Sequence, residues 1–362
     1  MTPDSPWSGL RKVLAVRLDN LGDVLMTTPA IAAIRRDLPG AHITLLGSRS
    51  VHMLAPHLSV IDEVMSYDAP WVRGPCGAAA DDLRFIDALA AREFDAAVIF
   101  TVCTQSALPA AMMCRLAGIP LRLGHARENP YELLTHWVRD VDVVCDGMRH
   151  EVERQQALVR CVGFEAPSDR LLLNLHESDV SSVRQKLRAG GIEAGQPFVL
   201  MHPGATAASR RYPAERFGQA ADLLAGFNGV PTVYAGGPDD VALVAAARGA
   251  MCAASCSLAG DLTFGELAAL IDQAAVLVCN NSGPAHVAAA LGTPVVVLYA
   301  LTNPQHTPWN VPSKVLSHDV PCRNCLKSVC PEVHHACLLQ ITPHDVAEAA
   351  RCWLPPTMAD AA

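Results

Sequence analysis

Aromatic residues are scarce: Phe, Trp and Tyr make up 5% of the 362 residues, against 51% for the hydrophobic class as a whole. Ala, Val and Leu supply the difference, a mixture that suits buried parallel strands covered by alanine-rich helices and excludes a disordered chain. Long apolar runs are missing too. No stretch reaches the ~18 apolar residues that span a bilayer, and the first apolar stretch is broken by Arg17 and Asp19 too early for a signal peptide. A cytoplasmic protein with no transmembrane segment is expected. Positive charge is in deficit, with 28 Lys and Arg against 36 Asp and Glu for a net charge of -8. An extended nucleic-acid surface is therefore not expected, and any anionic ligand must be met by local groups. No Gly-x-Gly-x-x-Gly follows the first strand, which argues against an NAD oxidoreductase.

A chain of 362 residues exceeds what one core usually organises, so two domains are expected. The first, 1–170, opens with a strand at 13–18, a loop at 19–23 and a helical run at 27–38. Strands follow at 42–47, 95–102, 121–124 and 141–144, and helices at 81–92 and 150–163. Segment 171–196, rich in charge and turn residues around a helical stretch 178–189, reads as a linker region. The second domain, 197–342, restarts the same grammar with strand 198–202, loop 203–211, helix 213–226 and strand 232–235. Strand 275–280, loop 281–284, helix 285–291 and strand 295–300 repeat it. Residues 343–362 supply a last helix, 343–353, expected to pack back across the cleft, and a tail 358–362 expected to fray. The predicted class is α/β, with two doubly wound Rossmann-like domains facing a central cleft. In such sheets ligands lie beyond the carboxyl ends of the strands, here after Leu18, His202, Ala235 and Cys279.

The loop Asn281-Ser282-Gly283-Pro284-Ala285-His286 joins a buried strand to a helix, and its small residues let backbone N–H groups approach a phosphate at the helix N-terminus. A helix capped by Ser282 with Pro284 in its first turn accounts for the same residues without a ligand. The loop 202–213 occupies the matching place in the same domain and adds Arg210 and Arg211. Basic residues are slightly unfavourable at a helix entrance, so an anion site is the better reading of the pair.

Three segments stand out together: Leu18-Asp19-Asn20-Leu21-Gly22-Asp23-Val24-Leu25-Met26-Thr27-Thr28-Pro29, His202-Pro203-Gly204-Ala205 through Arg211-Tyr212-Pro213, and Asn280 to His286. In this order and spacing they resemble glycosyltransferase family 9, which contains the ADP-heptose:lipopolysaccharide heptosyltransferases. Leu258-Ala259-Gly260-Asp261-Leu262-Thr263 and Arg122-Leu123-Gly124 extend the likeness over nearly the whole chain. The resemblance implies the GT-B fold, an inverting displacement, and an ADP-activated heptose as donor, transferred to the lipopolysaccharide core. It also implies Asp23 as the catalytic base, a role that a carboxylate beside the acceptor hydroxyl can fill. The alternative is that Asp23 only caps the following helix. By the same likeness Thr206 and Arg210 lie near the donor pyrophosphate, Arg210 standing where many relatives have Lys. Asn281, Ser282, Gly283 and His286 would line the second donor loop, although His286 also fits a packed helix position. Many relatives carry Asp where this chain has Asn281, which leaves open another nucleotide sugar or glycan acceptor, or a nucleotide-binding protein without transferase activity.

No metal or other cofactor is required for catalysis on this reading, because Arg210 and helix N-termini can neutralise the leaving phosphate. The triplet Asp140-Val141-Asp142 reads as alternation at a strand edge, without a divalent ion. Near the C-terminus, Cys322, Cys325, Cys330 and Cys337, with His334 and His335, have a spacing compatible with a structural zinc or iron site. Reduced thiols or a redox-dependent disulfide are the alternative, and the other nine of the thirteen cysteines read as scattered hydrophobes. Arg115, Arg122 and Arg127, with His125, form a basic stretch expected to face an anionic, lipid-linked saccharide acceptor at the inner membrane surface, though ordinary surface charge accounts for them equally.

Overall fold

The computed structural model describes residues 5–73 and 77–356 of the chain; the expected fraying tail, 358–362, lies outside them. Two compact units are present, Met1–Leu172 and Leu173–Ala362.

The first unit runs β1 (Lys12–Val16), α1 (Leu21–Asp37), β2 (His42–Gly47), β3 (Glu63–Ser66), α2 (Pro70–Arg73), α3 (Ala79–Ala90), β4 (Ala96–Ile99), α4 (Leu108–Leu116), β5 (Leu121–Ala126), β6 (His136–Arg139) and α5 (Glu151–Arg160). Its six strands pair in the order β3-β2-β1-β4-β5-β6, all parallel. Leu14, Val16, Ala97, Ile99, Leu89 and Ala111 contribute to one apolar core between the sheet and its helices.

The second unit runs α6 (Glu177–Ala189), β7 (Val199–His202), α7 (Ala214–Asn228), β8 (Thr232–Tyr234), α8 (Val241–Gly249), β9 (Ser255–Ser257), α9 (Phe264–Gln273), β10 (Val276–Asn280), α10 (Gly283–Leu291), β11 (Val295–Leu298), β12 (Ser313–Leu316), α11 (Ala336–Leu339) and α12 (Pro343–Arg351). Its strands pair in the order β12-β11-β10-β7-β8-β9, also parallel. Counted from its own first strand, this is the same order as in the first unit. Both are the Rossmann arrangement, whose strand order reverses at a switch point. These points fall between β1 and β4 and between β7 and β10. The second core includes Val199, Met201, Phe217, Tyr234, Val278 and Val296.

Helix α6, inside the expected linker, packs on α9, burying Val183 and Leu187. Lys186 Nζ also donates to Glu266 at 3.0 Å. Helix α12 packs on α7 with Val346, Ala347 and Ala350 fully buried. The strand expected at 141–144 is absent: Val141 and Val143 are exposed, and the edge strand is β6 instead, paired to β5. No helix among the described residues is long and apolar enough to cross a membrane.

Candidate active site

Helix α1 begins six residues before the expected 27, so Asp23 lies in its first turn. The Asp23 carboxylate accepts from the Asn20 N–H at 3.0 Å, an N-terminal capping contact. The capping alternative is thus realised, but it occupies one oxygen. The other, Oδ1, lies 3.5 Å from Arg17 NH2. Pro29 has no N–H to offer the Leu25 carbonyl, and the Thr28 hydroxyl donates there instead at 2.7 Å, so the helix continues through the proline.

Arg17 follows β1 and is wholly buried. Its Nε lies 3.0 Å from Asp19 and its NH1 2.8 Å from Glu151 of α5, so one guanidinium addresses three carboxylates. Gln105, from the loop after β4, donates to Asp19 at 2.6 Å, and Gln155 donates to Glu151 at 2.6 Å. The cluster sits at the switch point of the first sheet. Burial pushes the Asp19 carboxyl up to about 6, opposed by Arg17 and Gln105 and reinforced by Asp23 and Glu151.

In the second unit the loops after β7 and β10 are held together by Asn280, which is fully buried. Its Nδ2 donates to the Pro203 carbonyl at 2.7 Å and its Oδ1 accepts from the Tyr212 N–H at 3.0 Å. Between those two anchors, residues 208–210 form a 3-10 turn that presents Arg210, while Thr206 is exposed. Arg210 Nε is buried without a hydrogen-bond partner, and among the described residues no carboxylate pairs with its guanidinium. Arg211, by contrast, turns back to the Ala205 carbonyl at 2.7 Å.

The Arg210 charge is felt by the buried Tyr299, whose hydroxyl burial pushes far above the usual tyrosine range while Arg210 opposes the rise. The same hydroxyl donates to the Asn303 carbonyl. Ser282 stands at the N-cap of α10 but donates its hydroxyl to the Asn280 carbonyl at 3.2 Å, leaving the first turn without a side-chain cap. Gly283 opens the helix half-exposed, and His286 is buried one turn in. Two positively polarised features, Arg210 and the α10 N-terminus, therefore share the switch point of the second sheet.

A feature missed in the sequence is Asp240, after β8. A Cβ at Gly204 would lie 2.3–2.4 Å from its carboxylate atoms, so glycine lets the Asp240 side chain lie against this loop. The Gly237 N–H donates to Asp240 at 3.0 Å. The neighbouring His202 imidazole is held below its ordinary value by burial, with Asp240 opposing.

The expected basic stretch is redistributed. Arg122 stands near the start of β5, away from the strand's carboxyl end, and spends its guanidinium on backbone carbonyls: Nε on Leu133 and NH2 on Glu132 at 2.8 Å each, NH1 on Ile119 and Pro120. It staples the 119–133 segment and offers little to an acceptor. His125 is buried, and burial followed by the Arg154 charge lowers it to about 4, so it adds no positive charge at neutral pH. Arg127 stays half-exposed, one NH2 bonded to the Cys103 and Asp142 carbonyls at 2.8 and 2.5 Å. Asp140 and Asp142 are arginine partners: Arg154 reaches both, and Arg149 binds Asp142.

Cys322, Cys325, Cys330 and Cys337, with His334 and His335, line one cavity of about 20 Å³ together with Ser209, Leu301 and Thr302. Cys322 Sγ and His334 Nε2 are 3.7 Å apart, while His334 Nδ1 accepts from the Ala336 N–H. Among the described residues no three His, Cys, Asp or Glu side chains are arranged to hold a metal ion, so the expected zinc or iron site gains no support. The segment instead braces the loop after β7, since Ser209 N and Oγ donate to the Ser328 and Lys327 carbonyls at 3.0 and 2.7 Å. The Leu326 N–H donates to Thr302 at 3.0 Å.

Two Rossmann-like domains, each a parallel six-stranded sheet of the same strand order, are the GT-B fold of glycosyltransferases. Residues 83–336 match the family model described as glycosyltransferase family 9 (heptosyltransferase), and the chain belongs to that family and is a glycosyltransferase. It is 27% identical over 299 residues to lipopolysaccharide heptosyltransferase 3 of Escherichia coli, covering 80% of this chain and 82% of that protein. A family 9 glycosyl transferase from Veillonella parvula shares the fold with a TM-score of 0.79 at 22% identity, covering 95% of this chain and 97% of that one. The Escherichia coli ADP-heptose lipopolysaccharide heptosyltransferase II does so with a TM-score of 0.72 at 22% identity, covering 94% and 98%.

Proposed function

We propose that this glycosyltransferase moves a heptose from ADP-L-glycero-D-manno-heptose onto the lipopolysaccharide inner core, with inversion at the anomeric carbon. The observation that carries this reading is the Arg210 guanidinium, partly buried and without a carboxylate partner among the described residues, beside the uncapped α10 N-terminus. A diphosphate is the guest such a pair accepts, and the names of the relatives supply the sugar.

In the reaction the acceptor hydroxyl gives its proton to Asp23 while its oxygen forms a bond to the anomeric carbon. The bond from that carbon to the β-phosphate oxygen breaks on the opposite face, and its electron pair leaves on ADP. Arg210 holds two phosphate oxygens, Thr206 donates its hydroxyl, and the N–H groups of α10 from Gly283 onward meet the developing charge. Ser282, Asn281 and His286 shape the same pocket wall. No step needs a divalent cation, because the charge on the departing ADP is met by fixed protein groups. Arg127 faces the anionic groups of a lipid-linked acceptor, which the enzyme visits at the inner membrane surface.

The test is ADP release from ADP-heptose, with heptose-less Kdo-lipid A as acceptor. Asp23→Asn is expected to lower kcat on the order of 10²–10⁴-fold with donor binding kept. Arg210→Ala is expected to weaken ADP binding on the order of 10–100-fold. A second reading, an ADP-binding protein without turnover, draws on Asn281, which puts an amide where many relatives have a carboxylate. Tight ADP binding with no acceptor-dependent release, with this or any other nucleotide sugar, would favour it.

A further inference from the structure

Arg17, Asp19 and Glu151 exceed what a structural ion pair requires. The charge of a buried guanidinium is neutralised by one carboxylate, and replacing such a pair with apolar side chains is often neutral or stabilising. Here three carboxylates surround one guanidinium, Glu151 fully buried and Asp19 and Asp23 only 5% and 7% exposed. Fully ionised, the cluster carries two surplus negative charges. Charge crowded in this way at a switch point is an arrangement suited to proton transfer.

The three contacts differ. Arg17 lies 2.8 Å from Glu151 and 3.0 Å from Asp19, but 3.5 Å from Asp23. Asp23 is thus aligned by the guanidinium at a longer distance than Asp19 and Glu151 are. We propose that Asp19 and Glu151, acting through the shared guanidinium of Arg17, are positioning residues that orient Asp23 and make it a stronger proton acceptor. This rests on Asp23 being the base.

The groups facing Asp19 are Arg17 beyond β1, Asp23 on α1, Gln105 after β4 and Glu151 on α5. Beyond Glu151, Arg154 adds a positive charge that is itself held by Asp140 and Asp142. Asp19 loses its proton at about 6, so through the neutral range its negative charge favours protonation of Asp23. Removing that charge makes Asp23 a weaker base. Removing the Glu151 charge acts in the same direction from the opposite side of the guanidinium.

The pH profile of kcat/KM for ADP-heptose and Kdo-lipid A, measured on the full chain from pH 5 to 9, tests this. In Asp19→Asn and in Glu151→Gln the acid limb is expected to move down, on the order of half a pH unit or more, with a lower plateau kcat and an unchanged donor KM. A merely structural role would lower Tm and activity together and leave the limb in place. An unmoved acid limb in both variants overturns the proposal whatever their activity. Should Glu151→Gln fail to fold, Asp19→Asn at the edge of the cluster decides alone. If Asp23→Asn turns over at the wild-type rate, the assignment of the base fails and this inference falls with it. If Asp23→Asn is inactive and the limbs stay fixed, only this inference fails.

Discussion

At the scale of single residues, Asp19 separates what the folded chain tolerates from what it would choose. The folded state keeps the Asp19 proton up to about pH 6, whereas the unfolded chain releases it near 3.8. Between those values the folded state binds more protons, so stability falls as pH rises through the window and stays lowered above it. Asp19→Asn is therefore expected to melt above the wild type at pH 7.5, by on the order of 1–3 kcal/mol, with the gain gone near pH 3.5. Thermal melts at both pH values check this, and an equal gain at both would contradict it. Asp23, Arg210 and Ser282 stand out in the sequence as candidates because each lies in a contiguous motif beside a recognisable strand end. The partners that define their surroundings do not. Glu151 reaches Arg17 from a distant helix, Asp240 meets Gly204 from the next loop, and Arg122 turns from the expected acceptor towards the carbonyls of Leu133 and Glu132. Nothing in local spacing encodes such contacts.

At the scale of elements, most strands buried on both faces lie close to expectation: β2 falls on the expected residues and β7, β10 and β11 within two of their expected bounds, while β4 ends three residues before the expected 102. Edges do not. The alternation at 141–144 looked like a strand, yet β6 forms at His136–Arg139, where Trp137 Nε1 also donates to the Ala126 carbonyl at 2.9 Å. The start of α1 was misjudged because a run of Asn, Gly and Asp resembles a loop, whereas Asn20 and Asp23 are the capping pair of a helix already begun. The least visible element device is the Asn280 latch between the loops after β7 and β10. Asn280→Ala leaves the Pro203 carbonyl and the Tyr212 N–H without their buried partner, at about 1–3 kcal/mol. The expected result is a lower Tm with a disproportionate rise in the Kd for ADP, both measurable on one preparation. A Tm loss with unchanged ADP affinity would show that the latch serves the fold and not the loops.

At the scale of the whole molecule, two sheets of the same strand order carry different chemistry at equivalent places: carboxylates after β1, and a guanidinium with an uncapped helix after β7 and β10. Binding of ADP alone should therefore slow amide hydrogen exchange first at 203–212 and 281–286, and next in the bracing segment 326–328 that holds Ser209. Equal or stronger protection at 17–27 would place the nucleotide in the wrong unit. The α/β class and the Rossmann repetition were visible from strand-loop-helix periodicity, since parallel strands with alanine-rich crossovers admit few other arrangements. The Arg17 cluster has one more consequence, for selection. A variant library sorted for heat resistance alone would become enriched in neutral residues at position 19, while the same library sorted for product formation would return Asp.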